Sequence, residues 1–172
     1  MVSLSKKVCL LGDFAVGKTS LVRRLVHDLF DDRYISTIGV KVSRKTLTIA
    51  RDHAIIDLSI ILWDLAGSEE FTHMRASYLR GASGLFLVGD LTRPATITNL
   101  HSYMADLTDN GQRIPMVIAA NKLDLVNTGE EPGVIGVAQS VATHLEAPLF
   151  FTSALTGNEV EQAFHHLGRL MV

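Results

Sequence analysis

The chain has 172 residues, 47% hydrophobic and 20% charged, with a net charge of −2 and one cysteine. That balance excludes a disordered chain, a disulfide framework and the basic footprint of a nucleic-acid binder. The length suits a single domain over 1–172, large enough for one core.

An apolar strand near 6–12 runs into Gly12-Asp13-Phe14-Ala15-Val16-Gly17-Lys18-Thr19. A helix near 18–28 follows, with Leu21, Val22, Leu25, Val26 and Leu29 at helical spacing. This is G-x-x-x-x-G-K-[ST] between a strand and a helix, the context a phosphate-cradling loop needs. Backbone N–H groups and the helix N-terminus attract phosphate, Lys18 reaches the β/γ-phosphates, and the Thr19 hydroxyl can ligate Mg²⁺. Downstream, Tyr34-Ile35-Ser36-Thr37-Ile38-Gly39 offers Thr37 as a second Mg²⁺ ligand.

Strands near 40–50 and 55–64 are joined only by Arg51-Asp52-His53-Ala54. That is too short for a crossover helix, so this pair reads as an antiparallel hairpin. Lys41, Arg44 and Lys45 then belong to a solvated strand face. The second strand ends in Asp64-Leu65-Ala66-Gly67, a D-x-x-G in which Asp64 can hold Mg²⁺ through water and the Gly67 N–H can sense a γ-phosphate. A helix near 69–80, a strand near 84–90, a helix near 95–109 and a strand near 114–120 come next.

Asn121-Lys122-Leu123-Asp124 follows that strand and selects the base. Asp124 can accept both N1–H and the 2-amino group of guanine, donors that adenine lacks in that arrangement. Asn121 can tie the turn to the phosphate loop, and the Lys122 stem can lie over the ring. A helix near 133–146, a strand near 148–152 and a helix near 158–171 complete the chain. Thr152-Ser153-Ala154 places a backbone N–H for guanine O6. Asn158 and Glu161 read as a capping box for the last helix. Alternating strands and helices imply an α/β fold of the P-loop type: a six-stranded, mostly parallel sheet with one antiparallel hairpin and about five helices on both faces. The motifs fall at the C-terminal edge of the strands, where such sheets bind ligands.

These motifs, in this order over essentially the whole chain, resemble the Ras superfamily of small GTPases. Trp63-Asp64-Leu65-Ala66-Gly67, Ser36-Thr37-Ile38-Gly39-Val40 and Ser77-Tyr78-Leu79-Arg80-Gly81-Ala82 look most like the Rab branch. The resemblance implies a switch that binds GTP and GDP with Mg²⁺ and hydrolyses GTP slowly. It implies Thr19, Thr37 and Asp64 at the metal, and Lys18, Thr37, Gly67 and Ser68 at the chemistry. The nucleotide-contacting set comprises Gly12, Asp13, Phe14, Ala15, Val16, Gly17, Lys18, Thr19, Ser20, Phe30, Tyr34, Thr37, Asp64, Gly67, Asn121, Lys122, Asp124, Ser153, Ala154 and Leu155, with Phe30 edge-on to the guanine. An effector would read segments 32–40 and 65–80, and exchange and activating proteins are expected partners.

Three positions depart from the family pattern. Ser68 stands where a Gln usually orients the attacking water, and serine is too short to span the same distance. Phe14 stands where a small residue is usual, and its ring could obstruct an arginine supplied in trans. Leu155 replaces a common Lys, at the loss of one packing contact over the base. These favour slow turnover, and they support a rival reading: a scaffold that holds nucleotide with little or no hydrolysis. A P-loop kinase is the second rival, and the guanine-reading turn argues against it. His73, five residues past Ser68, could approach the attacking water after rearrangement, although a solvated histidine is the simpler account. The remaining helical histidines lack partners at metal spacing.

Cys9 reads as a buried thiol in a reducing, cytoplasmic setting. No apolar run reaches the roughly 18–20 residues of a membrane span and no signal peptide leads in. With no C-terminal Cys box, no polybasic tail and Val2 where myristoylation needs glycine, no direct membrane anchor is expected. The chain is then a lipid-free member, as in prokaryotes, or a piece of something longer.

Overall fold

The computed structural model describes residues 2–31, 33, 37–67, 72–104 and 113–172, with Thr72 and His73 described by backbone alone. Six strands form one sheet: β1 (Val2–Leu11), β2 (Val40–Arg51), β3 (Ala54–Leu65), β4 (Gly84–Asp90), β5 (Met116–Asn121) and β6 (Leu149–Phe151), in the order β2-β3-β1-β4-β5-β6. All neighbours are parallel except β2 and β3, which pair antiparallel from Val40↔Leu65 to Arg51↔Ala54. The two turn residues Asp52 and His53 both have positive φ, 47° and 68°. That is the backbone hand which suits the right-handed twist of a two-residue hairpin.

The helices are α1 (Lys18–His27), α2 (Thr72–Leu79), α3 (Pro94–Thr98), α4 (Leu100–Tyr103), α5 (Glu131–Leu145) and α6 (Val160–Leu170). β4 is buried at every residue, because helices cover both of its faces. On one face α1 and α6 pack on Val8, Leu10, Leu58, Ile60, Leu62, Phe86 and Val88, with Phe86 stacked on Phe164 at 4.0 Å. On the other, α3, α4 and α5 cover Cys9, Leu11, Leu85, Leu87, Ile118 and Ala120. Each buried Val, Leu, Ile or Phe side chain among them stabilises the fold by roughly 1.5–3 kcal/mol. Lys41 and Arg44 are exposed on the edge strand β2, where charge also discourages pairing with another chain.

Differences from the expected elements have local causes. β1 begins at Val2, because β3 is long enough to pair with it from Ile56 onward. The single helix expected near 95–109 is divided at Asn99 into α3 and α4, and its last part lies outside the described residues. Pro132 in the first turn carries the start of α5 back to Glu131. The Asn158–Glu161 capping box does not form. Asn158 Nδ2 donates to Phe151 O at 2.9 Å, the Glu159 carboxylate accepts the Phe151 N–H at 2.7 Å, and Glu159 itself is the N-cap, at φ 51°. Asn158 and Glu159 instead close the short edge strand β6, and Glu161 faces His165. Among the described residues, no helix is long and apolar enough to cross a membrane.

Candidate functional site

The C-terminal ends of β1, β3 and β5 border a cleft of about 310 Å³. Its phosphate end is built on the loop between β1 and α1. Gly17 caps α1 at φ 104°, where a Cβ would meet the Asn121 amide at 2.4 Å, so only glycine fits. Lys18 is 6% exposed, and its ammonium donates to Gly12 O at 2.7 Å and Asp13 O at 2.9 Å. Burial pushes its pKa down to about 8, partly offset by the charges of Asp64 and Asp13. Gly67 lies against the same loop. A Cβ there would come within 2.6 Å of the Asp13–Phe14 peptide, so residue 67 reaches the loop only as glycine.

Three oxygens gather beside Lys18. The Thr19 hydroxyl lies 2.7 Å from that of Thr37 and donates to Asp64 Oδ2 in a short hydrogen bond. Asp64 is 1% exposed, and its other oxygen, Oδ1, has no hydrogen-bond partner. Burial raises its carboxyl pKa, and the Thr19 bond with the Lys18 and Lys41 charges offset that only in part. An orphaned, buried carboxylate oxygen beside two hydroxyls fits a hard, oxygen-seeking cation such as Mg²⁺. No cluster of three or more His, Cys, Asp or Glu suited to a metal occurs among the described residues.

At the base end, Asn121 donates to Val16 O at 3.0 Å and accepts from the Thr152 hydroxyl at 3.0 Å, which joins three loops. Lys122, at φ 66°, donates to Ala15 O at 2.8 Å and pairs with Asp90 at 2.8 Å. That contact holds Ala15 in its own left-handed backbone, φ 61°, a conformation that costs roughly 1–2 kcal/mol without support. Ser153 Oγ donates to Asp124 Oδ1 at 2.6 Å, presenting that exposed carboxylate beside Ala154 and Leu155.

Of the residues singled out from the sequence, Phe14, Ala15, Gly17, Lys18, Thr19, Ser20, Phe30, Thr37, Gly67, Asn121, Lys122, Asp124, Ala154 and Leu155 line the cleft. Asp64 and Ser153 stand behind it, bonded to Thr19 and Asp124. Three further members of the set are not in the lining: Gly12, which lies so close to Val88 O that a Cβ would meet it at 2.2 Å and whose carbonyl accepts from Lys18, then Asp13 and Val16. The Asp13 carboxylate turns outward to accept from Tyr103 at 2.8 Å and Asn99 at 2.9 Å, and the Val16 side chain is wholly in the core. Tyr34 and Ser68 lie outside the described residues, as does the His73 side chain. Phe14 is 48% exposed and lines the same cleft as Lys18.

Sequence reasoning missed Arg23, Asp31, Arg33 and Leu65 in the lining. It also missed Arg24, which donates to Ala154 O at 2.8 Å and Leu155 O at 2.7 Å and so braces the base loop from α1. Bonds to carbonyls leave no trace in residue type at the accepting end, so nothing in the sequence singled out Arg24.

The model of the Ras family matches residues 7–172. The Ras-related protein Rab-1D of Dictyostelium discoideum is 37% identical over 164 residues, 95% of this chain and 78% of that protein. Rab-like protein 2A of Homo sapiens is 32% identical over 166 residues, 96% of this chain and 68% of its own length. The GTP-binding protein ypt5 of Schizosaccharomyces pombe is 36% identical over 167 residues, 95% of this chain and 76% of its own. A P-loop sheet with one antiparallel hairpin, a guanine-type turn at its edge and relatives throughout the Rab group lead to one assignment: the chain belongs to the Ras family, on its Rab-like side.

Proposed function

We propose that the protein is a guanine-nucleotide switch that binds GTP and GDP with Mg²⁺ and hydrolyses GTP slowly. The observation that carries this is the convergence of the Thr19, Thr37 and Asp64 oxygens beside Lys18, at one end of a cleft whose other end presents Asp124. Thr19, Thr37 and Asp64 would hold the metal, which supplies neutralisation of phosphate charge when bound. The chain's own residues do the rest. The Lys18 ammonium exchanges loop carbonyls for phosphate oxygens, the loop N–H groups and α1 accept the remaining charge, and Asp124 reads the guanine edge. Thr37 and Gly67 couple the nucleotide to segments 32–40 and 65–80, which an effector reads and exchange and activating proteins act on. A cytoplasmic setting is part of the same reading, drawn from a single cysteine, Cys9, that is buried and free.

Without the water-orienting Gln, turnover is expected at or below the intrinsic rate of Ras, on the order of 10⁻⁴ s⁻¹. A second reading, a nucleotide-holding scaffold, draws on Ser68 and on the exposed Phe14 ring in the cleft. A nucleotide-exchange assay with GTP, ATP and their diphosphates tests the first claim. Tight GTP and GDP binding with no competition from ATP is expected, and equal competition by ATP would remove the guanine assignment. Single-turnover hydrolysis of bound GTP then separates the slow enzyme from the scaffold.

A further inference from the structure

Behind the phosphate loop lies a charged cluster that the reading above does not use. Asp90, wholly buried at the end of β4, accepts from Arg93 Nε at 3.1 Å and from Lys122 at 2.8 Å through the same oxygen, Oδ2. Its other oxygen takes the Thr92 N–H and hydroxyl, which folds residues 90–93 into a tight turn that also bonds Arg93 N to Asp90 O at 2.9 Å. Asp90 therefore fixes both the backbone and the side chain of Arg93. From that position Arg93 Nη2 donates to Phe14 O at 2.8 Å. Three successive loop carbonyls thus each have a side-chain donor: Phe14 O has Arg93, Ala15 O has Lys122 and Val16 O has Asn121.

The consequence follows from peptide geometry. There are no cis peptides among the described residues, so each carbonyl there points opposite to the N–H of the next residue. Ala15 lines the cleft and Arg93 does not, so a carbonyl drawn back onto Arg93 turns the Ala15 N–H forward. We infer that Arg93, held by Asp90, is a positioning residue for the triphosphate: it aims the Ala15 N–H at the phosphate chain and places a guanidinium charge directly behind that donor. Both effects strengthen a preorganised N–H toward developing negative charge. In a chain with Ser68 at the water-orienting position, this supplies charge stabilisation from the loop itself.

The inference rests on the proposed guanine-nucleotide site, and its test separates the two. The β-phosphorus resonance of bound Mg²⁺–GDP and of a non-hydrolysable GTP analogue is recorded by ³¹P NMR, with release of a fluorescent GDP, for wild type, Arg93→Ala and Arg93→Lys. In Arg93→Ala the β resonance is expected to shift and release to quicken about tenfold, and Arg93→Lys to restore most of both. A lower melting temperature with the resonance and the release rate of wild type means a purely structural clamp, and overturns the inference. Should Arg93→Ala fail to fold, Arg93→Gln carries the same comparison, because its amide is too short to span both Asp90 and Phe14. A wild-type chain that takes up no guanine nucleotide overturns the reading of the cleft, and the inference with it.

Discussion

The two ends of the cleft are built on opposite electrostatic plans. At the base end, Asp124 is exposed and bonded to Ser153, and Arg24 holds the Ala154 and Leu155 carbonyls from α1. At the phosphate end, a Lys and an Asp are almost wholly buried, Asp64 Oδ1 has no partner, and burial drives the Lys18 pKa down and that of Asp64 up. The base end is finished before any ligand arrives. The other end holds buried charge on Lys18 and Asp64 that, on the proposed reading, phosphate and a cation would complete. On that reading, recognition of guanine would be a matter of preset geometry, while affinity and switching would depend on relief of buried charge.

The largest test of that division falls on the base end. Asp124→Asn removes a charge-assisted bidentate contact and is expected to weaken GTP by roughly 2–4 kcal/mol. Xanthosine nucleotides should improve, because xanthine presents an oxygen where guanine presents the amine. Competition between the two nucleotides measures both, and an unchanged GTP affinity would show that the preset end does not read the base.

Next in size are the two hydroxyls at the phosphate end. Thr19 contacts both Asp64 and Thr37, whereas Thr37 contacts Thr19 across the cleft from segment 32–40. Thr19→Ala is therefore expected to cost roughly 1.5–3 kcal/mol of triphosphate affinity, about a 10–100-fold loss, and most of its Mg²⁺ dependence. Thr37→Ala should chiefly uncouple segment 32–40 from the nucleotide. Equal affinities and equal Mg²⁺ dependence in the two variants would contradict these separate roles.

The same contrast explains what could be read in advance. Fold class and the antiparallel hairpin followed from alternation of apolar runs with helical spacing and from the short β2–β3 connection, whereas the strand order β2-β3-β1-β4-β5-β6 was not legible in the sequence. Lys18, Thr19, Asp64 and Asp124 stood out because their chemistry resides in the side chain and their spacing in known motifs. Arg24, Asp90 and Arg93 did not: Arg24 and Arg93 act on carbonyls far away in the chain, 130 positions to Ala154 and 79 to Phe14, and Asp90 acts by holding Arg93 and Lys122. The capping box of α6 failed for a related reason. Asn158 and Glu159 satisfy the exposed ladder of β6 instead, a tertiary demand that no local pattern reports.

Turnover is a finer probe of the phosphate end. Ser68→Gln is expected to raise single-turnover GTP hydrolysis about tenfold, near 1.4 kcal/mol of barrier, if the Phe14 ring leaves the water position open. Where the ring fills it, the gain should appear only together with Phe14→Gly. A wild type that already hydrolyses GTP within seconds, unimproved by either change, would mean that another group orients the water, with His73 the first to test.

The smallest expected effect goes furthest in separating the two plans, because its sign depends on ligand. The fold disfavours the ionised form of Asp64, whose raised pKa reflects burial that Thr19, Lys18 and Lys41 do not fully offset. Replacing it with Asn keeps an oxygen for the Thr19 hydroxyl and exchanges an orphaned charge for an orphaned neutral group, which is less costly to bury. The nucleotide-free Asp64→Asn chain is therefore expected to be more stable than wild type by about 1 kcal/mol, a rise of about 2–4 °C in melting temperature for a domain of this size. With GTP and Mg²⁺ added the order should reverse, since the carboxylate is what the cation needs. No such inversion is expected at Asp124, which is exposed in the free chain. If Asp64→Asn instead melts lower without nucleotide, the buried carboxylate is already well paired with Lys18, and the phosphate end is as complete without ligand as the base end.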